Sequence, residues 1–230
     1  LFAYQFGAAI ISPEKKVVWN FDAPAPTEIH TADAVGTDKV AVVENGLPPK
    51  LVVLNIADGK EVSSFTLPAQ RAAAPGDIHA QFRRMRVLPN GNFLVCHMDM
   101  GAQGKVVEYD KDGKAGWSVT IQSPWSAERL SNGNTLIASN SNFVREVDPK
   151  GETVWEFRPA DAPGYRIFNT QTAQRLPNGN TVISNWHGKD AGGEPAQFIE
   201  VTPDKKVVWA LRSWTDPNLG VSTNFQLLDK

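Results

Sequence analysis

The stretch Leu176–Gly188, LPNGNTVISNWHG, joins a repeated sequence to a unique one. Its first half recurs as LPNGNFLV from Leu88 and as LSNGNTLI from Leu130. Asn-Gly between apolar runs is the strongest short hairpin signal, because a type I′ turn needs positive φ at both central residues. The repeated half therefore predicts a hairpin that occurs three times. The unique half, NWHG, is a candidate for function.

A second repeat predicts another hairpin in each unit. It is a polar turn followed by a strand with a central aromatic residue, as in DPKGETVWEF from Asp148 and TPDKKVVWAL from Thr202. Runs rich in β-branched residues stand before these turns, which indicates strands. The central aromatic residues recur every 38 to 54 residues, at Trp19, Phe65, Trp117, Trp155 and Trp209.

Each unit thus predicts a four-stranded antiparallel meander, whose strands we call A, B, C and D. A repeat of about 40–45 residues is typical of propeller blades, which pack radially and leave only short edges. We expect residues 1–230 to form one all-β domain, a five-bladed β-propeller. Strand A of the N-terminal blade is expected from the C-terminal residues Asn224–Leu228. Six blades are the alternative if upstream residues are missing.

Composition excludes several classes of partner. The 230 residues are 41% hydrophobic and 21% charged with a formal net charge of -2, so we expect no attraction to nucleic acid or anionic membrane. No apolar run approaches the roughly 18 residues of a spanning helix, so no membrane insertion is expected. The only cysteine is Cys96, which excludes an intrachain disulfide. The chain starts at Leu1 inside a strand-like run, which predicts a removed leader and an extracytoplasmic (periplasmic or secreted) location.

The repeats resemble a known family. The segments RLPNGNTVISNWHG, EVDPKGETVWEF and EVTPDKKVVW are similar to the quinoprotein-like, or PQQ-like, propeller repeats of bacterial secreted and periplasmic proteins. The resemblance spans nearly the whole chain and implies a fold rather than a chemistry. Quinoprotein dehydrogenases of this group have larger propellers and hold their cofactor against a vicinal cysteine pair. One cysteine and about five blades depart from that pattern, so we expect no cofactor.

Candidate binding residues follow from their position in the blades. In a propeller, the central channel opens where strand A begins and strand B ends, and both points lie on the face opposite the NGN turns. The position five residues before the Leu or Val that precedes each turn differs in chemistry from blade to blade, whereas the turn sequences are nearly the same. These positions and the strand-B ends predict a ligand-binding site made of His30, Arg83, His97, Trp125, Gln171, Asn185, Trp186, His187 and Thr223.

Metal and enzyme signatures are weak. The sequence contains no HExxH, CxxC, EF-hand, GxSxG or Walker motif, and we expect no metal. The alternative is an ion held across the channel by His30, His97 and His187. For His79 the sequence favours a loop-capping role.

Two kinds of function remain open. The first is a noncatalytic recognition module that binds a small polar ligand, a glycan or a partner protein at the channel mouth, because aromatic rings beside polar anchors suit such ligands. The alternative is an enzyme at the same mouth. Resemblance to bacterial arylsulfate sulfotransferases implies a nucleophilic channel histidine, His30 or His97, with Arg83 steadying the anion. A hydrolase or lyase that uses a channel histidine, or a scaffold that offers a face to another protein, fits the same pattern.

Overall fold

The computed structural model describes residues 1–69, 75–98, 103–187 and 195–227. These residues form 19 strands and two short 3-10 turns, Pro75–Ala80 and Pro159–Asp161. Among them, no helix has the length and apolar character needed to cross a membrane.

The strands form five separate antiparallel sheets, each built from consecutive strands. The first sheet contains β1 (Phe2–Tyr4), β2 (Gly7–Ile11) and β3 (Val17–Asp22), and the second contains β4 (Glu28–Val35), β5 (Lys39–Asn45), β6 (Lys50–Asn55) and β7 (Glu61–Thr66). The third sheet contains β8 (Phe82–Val87), β9 (Phe93–His97), β10 (Lys105–Tyr109) and β11 (Ala115–Thr120), and the fourth contains β12 (Pro124–Arg129), β13 (Thr135–Ser139), β14 (Phe143–Val147) and β15 (Thr153–Phe157). The fifth sheet contains β16 (Asn169–Arg175), β17 (Thr181–Trp186), β18 (Phe198–Val201) and β19 (Val207–Leu211).

The NGN turns are three-residue loops. The Leu88 amide donates to the Asn92 carbonyl and the Gly91 amide to the Leu88 carbonyl, both at 2.8 Å. Gly91 has a φ of 82°, whereas Asn90 is not among the residues with positive φ. A single left-handed residue is typical of the three-residue hairpin loop, and the type I′ turn expected from the Asn-Gly pair is therefore wrong.

The second asparagine of each NGN turn fixes the turn to strand C. In the third sheet, Nδ2 of Asn92 donates to Oε1 of Glu108 at 2.7 Å. The same bond joins Asn134 to Glu146 and Asn180 to Glu200, at 2.6 Å in both sheets. The repeat therefore needs asparagine after the glycine because its side chain ties strands A, B and C together.

The chain divides into two compact units, residues 1–123 and 124–230. In the first unit, the second and third sheets bury a shared apolar core that contains Leu51 and Phe82. In the second unit, the fourth and fifth sheets do the same around Phe157 and Ile183. Burying one such side chain contributes roughly 1.5–3 kcal/mol, so each sheet depends on its neighbour within the unit.

The expected fourth strand of the N-terminal sheet stays a prediction. Within the described residues this sheet has three strands, and Asn224–Leu227 carries no assigned strand. Leu228 lies outside the described residues. In the second unit, the ring of Phe225 packs edge-to-face on Phe198 with centroids 5.5 Å apart.

Replacing Gly91 with alanine tests the turn geometry. A Cβ at Gly91 would meet no atom within 4 Å, so the change adds only the strain of a left-handed L-residue. We expect Gly91→Ala to lower the free energy of unfolding by about 1–2 kcal/mol in urea titrations. The control is Gly164→Ala, which also meets no atom but has no positive φ, and it should stay within about 0.5 kcal/mol of the parent chain. Equal effects at the two sites would contradict this account of the turn.

Candidate functional site

Strand A carries one extra residue relative to strand B in four of the sheets. In the second sheet, the three steps from Ile29 to Ala32 face the two steps from Glu44 to Val42, so His30 lies in a β-bulge. Equivalent register shifts fall between Phe82 and Met85, between Pro124 and Ser126, and between Thr170 and Ala173. They contain Arg83, Trp125 and Gln171. Bulges re-aim side chains and are enriched beside functional sites, and here they fall on four of the positions selected from the sequence.

In the first unit, four polar side chains form a group that we call the Glu28 cluster: Glu28, His30, His79 and Arg83. Oε2 of Glu28 accepts hydrogen bonds from Nε2 of His30 at 2.8 Å and from Nδ1 of His79 at 2.7 Å. The two imidazole rings meet edge-on with centroids 4.9 Å apart. On the other side of His30, Nδ1 lies 2.6 Å from Nη1 of Arg83.

These contacts define the protonation state of His30. Because Nε2 donates to a carboxylate and Nδ1 faces a guanidinium donor, the imidazole is neutral with its proton on Nε2. Burial, followed by the charge of Arg83, lowers the pKa of His30. Burial also lowers the pKa of Arg83 to about 10. The carboxylate of Glu28, the neutral imidazole of His30 and the guanidinium of Arg83 thus contact one another in that order.

Glu28 is ionised in this setting. Burial alone would raise its pKa, but hydrogen bonds from Gln5, His79 and His30 hold the pKa at about 2. The side chains of Glu28 and His30 are 14% and 13% exposed, whereas that of His79 is 65% exposed. The cluster therefore reaches solvent through His79.

Sequence reasoning found part of this cluster. Glu28 and His30 lie two residues apart on β4, and Nε2 of His30 contacts Oε2 of Glu28. Arg83 comes from the bulge of β8, and His79 from the 3-10 turn that precedes β8. The sequence did not lead us to select Glu28, although an acidic residue two positions before a histidine at the start of strand A could have indicated it. His79 contacts this cluster through its ring as well as ending a loop.

His97 is not part of the Glu28 cluster. The residue is 3% exposed, and its Nε2 is hydrogen-bonded to the Tyr109 hydroxyl at 3.0 Å. Its ring packs edge-on against Phe82 at 4.7 Å. Burial, followed by the charge of Lys105, lowers the pKa of His97 to about 4. The structure places His97 as a neutral core histidine rather than at a surface where it meets a ligand.

In the second unit, Gln171 presents an open acceptor. The residue is 2% exposed, and its Nε2 donates to Oδ1 of Asn140 at 3.2 Å. Its Oε1 is buried without a hydrogen-bond partner among the described residues. An unsatisfied buried acceptor costs roughly 1–3 kcal/mol, which a bound donor recovers. The next residue, Thr172, donates to the carbonyl of the exposed Thr223 at 2.9 Å.

The unique sequence NWHG divides into supporting and accessible residues. Oδ1 of Asn185 accepts from the Phe168 amide, and its Nδ2 donates to the carbonyls of Arg166 and Ala196, all at 2.8 Å. The amide of Asn185 thereby braces the loops around β16 and β17 rather than facing a ligand. Gly188 lies outside the described residues.

The ring of His187 packs against Trp214, with centroids 4.8 Å apart, and the residue is 6% exposed. Trp186 is half-buried at the end of β17, and Trp125 is half-buried in the bulge of β12. The two tryptophans therefore keep part of their surface open to solvent, whereas His187 does not.

The five antiparallel sheets are the blades of an all-β, five-bladed β-propeller, as the repeats predict. A family model, PQQ_2, described as "Outer membrane protein assembly factor BamB", matches residues 8–156, and the chain belongs to this family of PQQ-like repeats. No curated protein matches the chain.

The solved structures that resemble this chain include the following two. A protein of unknown function from Bacteroides caccae is 28% identical with a TM-score of 0.79, covering 96% of this chain and 79% of that one. The WD40 β-propeller domain of Doa1 is 14% identical with a TM-score of 0.59, and the match covers 78% of this chain and 54% of that one. The second likeness concerns the fold alone.

The buried His97 predicts a specific dependence of stability on pH. In the unfolded chain a histidine protonates near pH 6.5, whereas folded His97 stays neutral down to about pH 4. The unfolded state therefore binds more protons between these values, so stability falls as the pH drops through them. Between pH 7.5 and 5.0, His97→Gln should lose about 2 kcal/mol less than the parent chain, measured by urea unfolding. Identical pH dependence in the two proteins would contradict a buried neutral His97.

Proposed function

We propose that this propeller is a noncatalytic recognition module that binds a small polar ligand in its second unit, at Trp125, Gln171 and Trp186. The observation that carries the proposal is the buried Oε1 of Gln171, which has no partner among the described residues. A β-bulge holds Gln171 at the position where the repeats vary from blade to blade. Buried acceptors in proteins are normally paired, so the Oε1 of Gln171 is available to a donor group of a ligand.

The chemistry of these residues favours a hydroxylated ligand with an apolar face. An amide oxygen accepts from a hydroxyl or N–H group and gives orientation. Half-buried tryptophan rings offer apolar faces for stacking. A sugar ring or a short glycan provides both features, which supports carbohydrate-like ligands over fully charged ones.

Variants at Gln171 and Trp125 test the proposal against neutral monosaccharides and short glycans, screened by saturation-transfer NMR. For any sugar that binds, Gln171→Leu should weaken the affinity about tenfold, since losing one hydrogen bond of about 1.4 kcal/mol changes the constant tenfold. Trp125→Ala should weaken it at least as much, because a stacking face is lost.

Matched controls exist within the same unit. Gln174→Leu makes the same change three residues along β16, and Trp209→Ala removes a tryptophan that is 47% exposed on β19. Both controls should bind as the parent chain does. If Gln171→Leu and Trp125→Ala keep the parent affinity for every sugar that binds, the proposed site is wrong.

The family description favours a protein partner as a second candidate. It names an outer membrane protein assembly factor, which supports recognition of a protein and an extracytoplasmic location for this chain. The outermost strands also expose apolar side chains, since Val18, Val154 and Val208 are 62%, 54% and 55% exposed. Co-purification from the native host distinguishes the candidates. A partner lost with Val154→Lys and Val208→Lys but retained with Gln171→Leu would favour this second one.

The Glu28 cluster favours a third candidate, an enzyme that transfers an anionic group. A neutral imidazole oriented by a carboxylate and adjacent to a guanidinium has the parts of a nucleophilic site. The recognition module predicts that turnover of 4-nitrophenyl sulfate and 4-nitrophenyl phosphate is the same for the parent chain and for His30→Gln. A rate in the parent chain more than about 100-fold above that of His30→Gln would establish the enzyme instead.

A further inference from the structure

We propose that the Glu28 cluster binds a divalent transition-metal ion through Oε2 of Glu28, Nε2 of His30 and Nδ1 of His79. This site lies in the first unit and is separate from the ligand site proposed for the second. Two imidazole nitrogens and one carboxylate oxygen form a donor set that suits Zn²⁺ and related first-row ions. No local motif signals this donor set, because Glu28 and His79 are 51 positions apart.

The three donor atoms already converge. They all lie within 4.8 Å of one another. A tetrahedral ion with bonds of about 2.0–2.2 Å places its ligands about 3.4 Å apart. Binding would therefore lengthen the two hydrogen bonds of 2.8 and 2.7 Å by about 0.6–0.7 Å. His79 can supply that adjustment because its side chain is 65% exposed.

Residues beyond the three ligands are also placed to orient Glu28 and His30 for metal binding. Oε1 of Glu28 accepts from Nε2 of Gln5 at 2.8 Å, which leaves Oε2 for the ion. Nδ1 of His30 lies 3.3 Å from the Phe82 carbonyl. A ligating histidine usually donates its second N–H to such a carbonyl. With the ion on Nε2, the His30 proton moves to Nδ1 and donates to Phe82.

The charges of the cluster set the conditions for binding. Arg83 opposes the ion, and its Nη1 must leave Nδ1 of His30. The same Nη1 donates to the carbonyls of His79 and Phe82, so its movement also changes these two hydrogen bonds.

Three protein ligands leave one coordination position of a tetrahedral ion open. Structural zinc sites use four protein ligands, whereas sites with three keep a position for water or another molecule. That position faces solvent because His79 forms the outer side of the cluster. The ion is therefore exchangeable and is able to present an oxygen or nitrogen donor to a bound molecule.

The test uses the full chain, freed of metal with a chelator, and zinc alone as the probe. Calorimetric titration near pH 7.5 should give one Zn²⁺ per chain. His79→Ala and Glu28→Gln should each weaken binding by more than about 100-fold, since loss of an outer partner alone costs 10–100-fold. Gln5→Ala should weaken it by about tenfold for that reason. Substituted Co²⁺ should show the visible absorption of a four- or five-coordinate ion in the parent chain only.

His187→Gln is the matched control, because it removes an imidazole from the second unit and should leave zinc affinity unchanged. His79→Ala changes an exposed side chain, so it should fold with the circular dichroism and Tm of the parent chain, and it decides the matter even if Glu28→Gln fails to fold. Absence of zinc binding, or equal binding by His79→Ala and the parent chain, would overturn the site. Sugar binding measured in excess chelator is a separate readout, so the two proposals succeed or fail independently.

Discussion

One extra residue near the start of strand A is the constraint on which the proposed binding surface of this protein depends. Two residues of strand A then face one residue of strand B, and the ladder is interrupted at that point. The shift recurs in β4, β8, β12 and β16. In each of these four sheets, the bulge leaves one residue of strand A unpaired with strand B, so the pairing of the strands does not restrict its side chain.

The turns keep this position constant. The left-handed glycine closes the A-to-B loop, and the asparagine after it holds the glutamate of strand C. With the register fixed at these turns, the bulge falls at the same distance from the turn in the third, fourth and fifth sheets. Side chains at the bulge are therefore free to differ, as His30, Arg83, Trp125 and Gln171 do, without disturbing the scaffold.

Much of the fold was predictable from the sequence because local signals repeat. Turn residues and alternating strands identify the blades, and counting back from the turn finds the bulge positions. The turn type was not predictable from Asn-Gly alone, since three-residue and two-residue loops share that pair. The hydrogen bond that joins Asn92 to Glu108 also depends on strand pairing rather than on local sequence.

The candidate site was less predictable, because its chemistry depends on burial and on contacts distant in sequence. His30 and His97 look equivalent in the repeat, yet one meets Glu28 and Arg83 while the other is enclosed by Phe82 and Tyr109. Asn185 looked like a ligand residue, but its amide is used by backbone groups. Conversely, nothing local indicates that His79 reaches Glu28.

The central claim is that the bulge positions carry binding and the rest of each sheet is scaffold. A fragment screen followed by backbone NMR tests it even before a natural ligand is identified. The account predicts that the amide shifts produced by bound fragments cluster at residues 28–31, 79–84, 125–126 and 170–172. Shifts concentrated instead on the outer strands β3, β7, β11, β15 and β19 would contradict it.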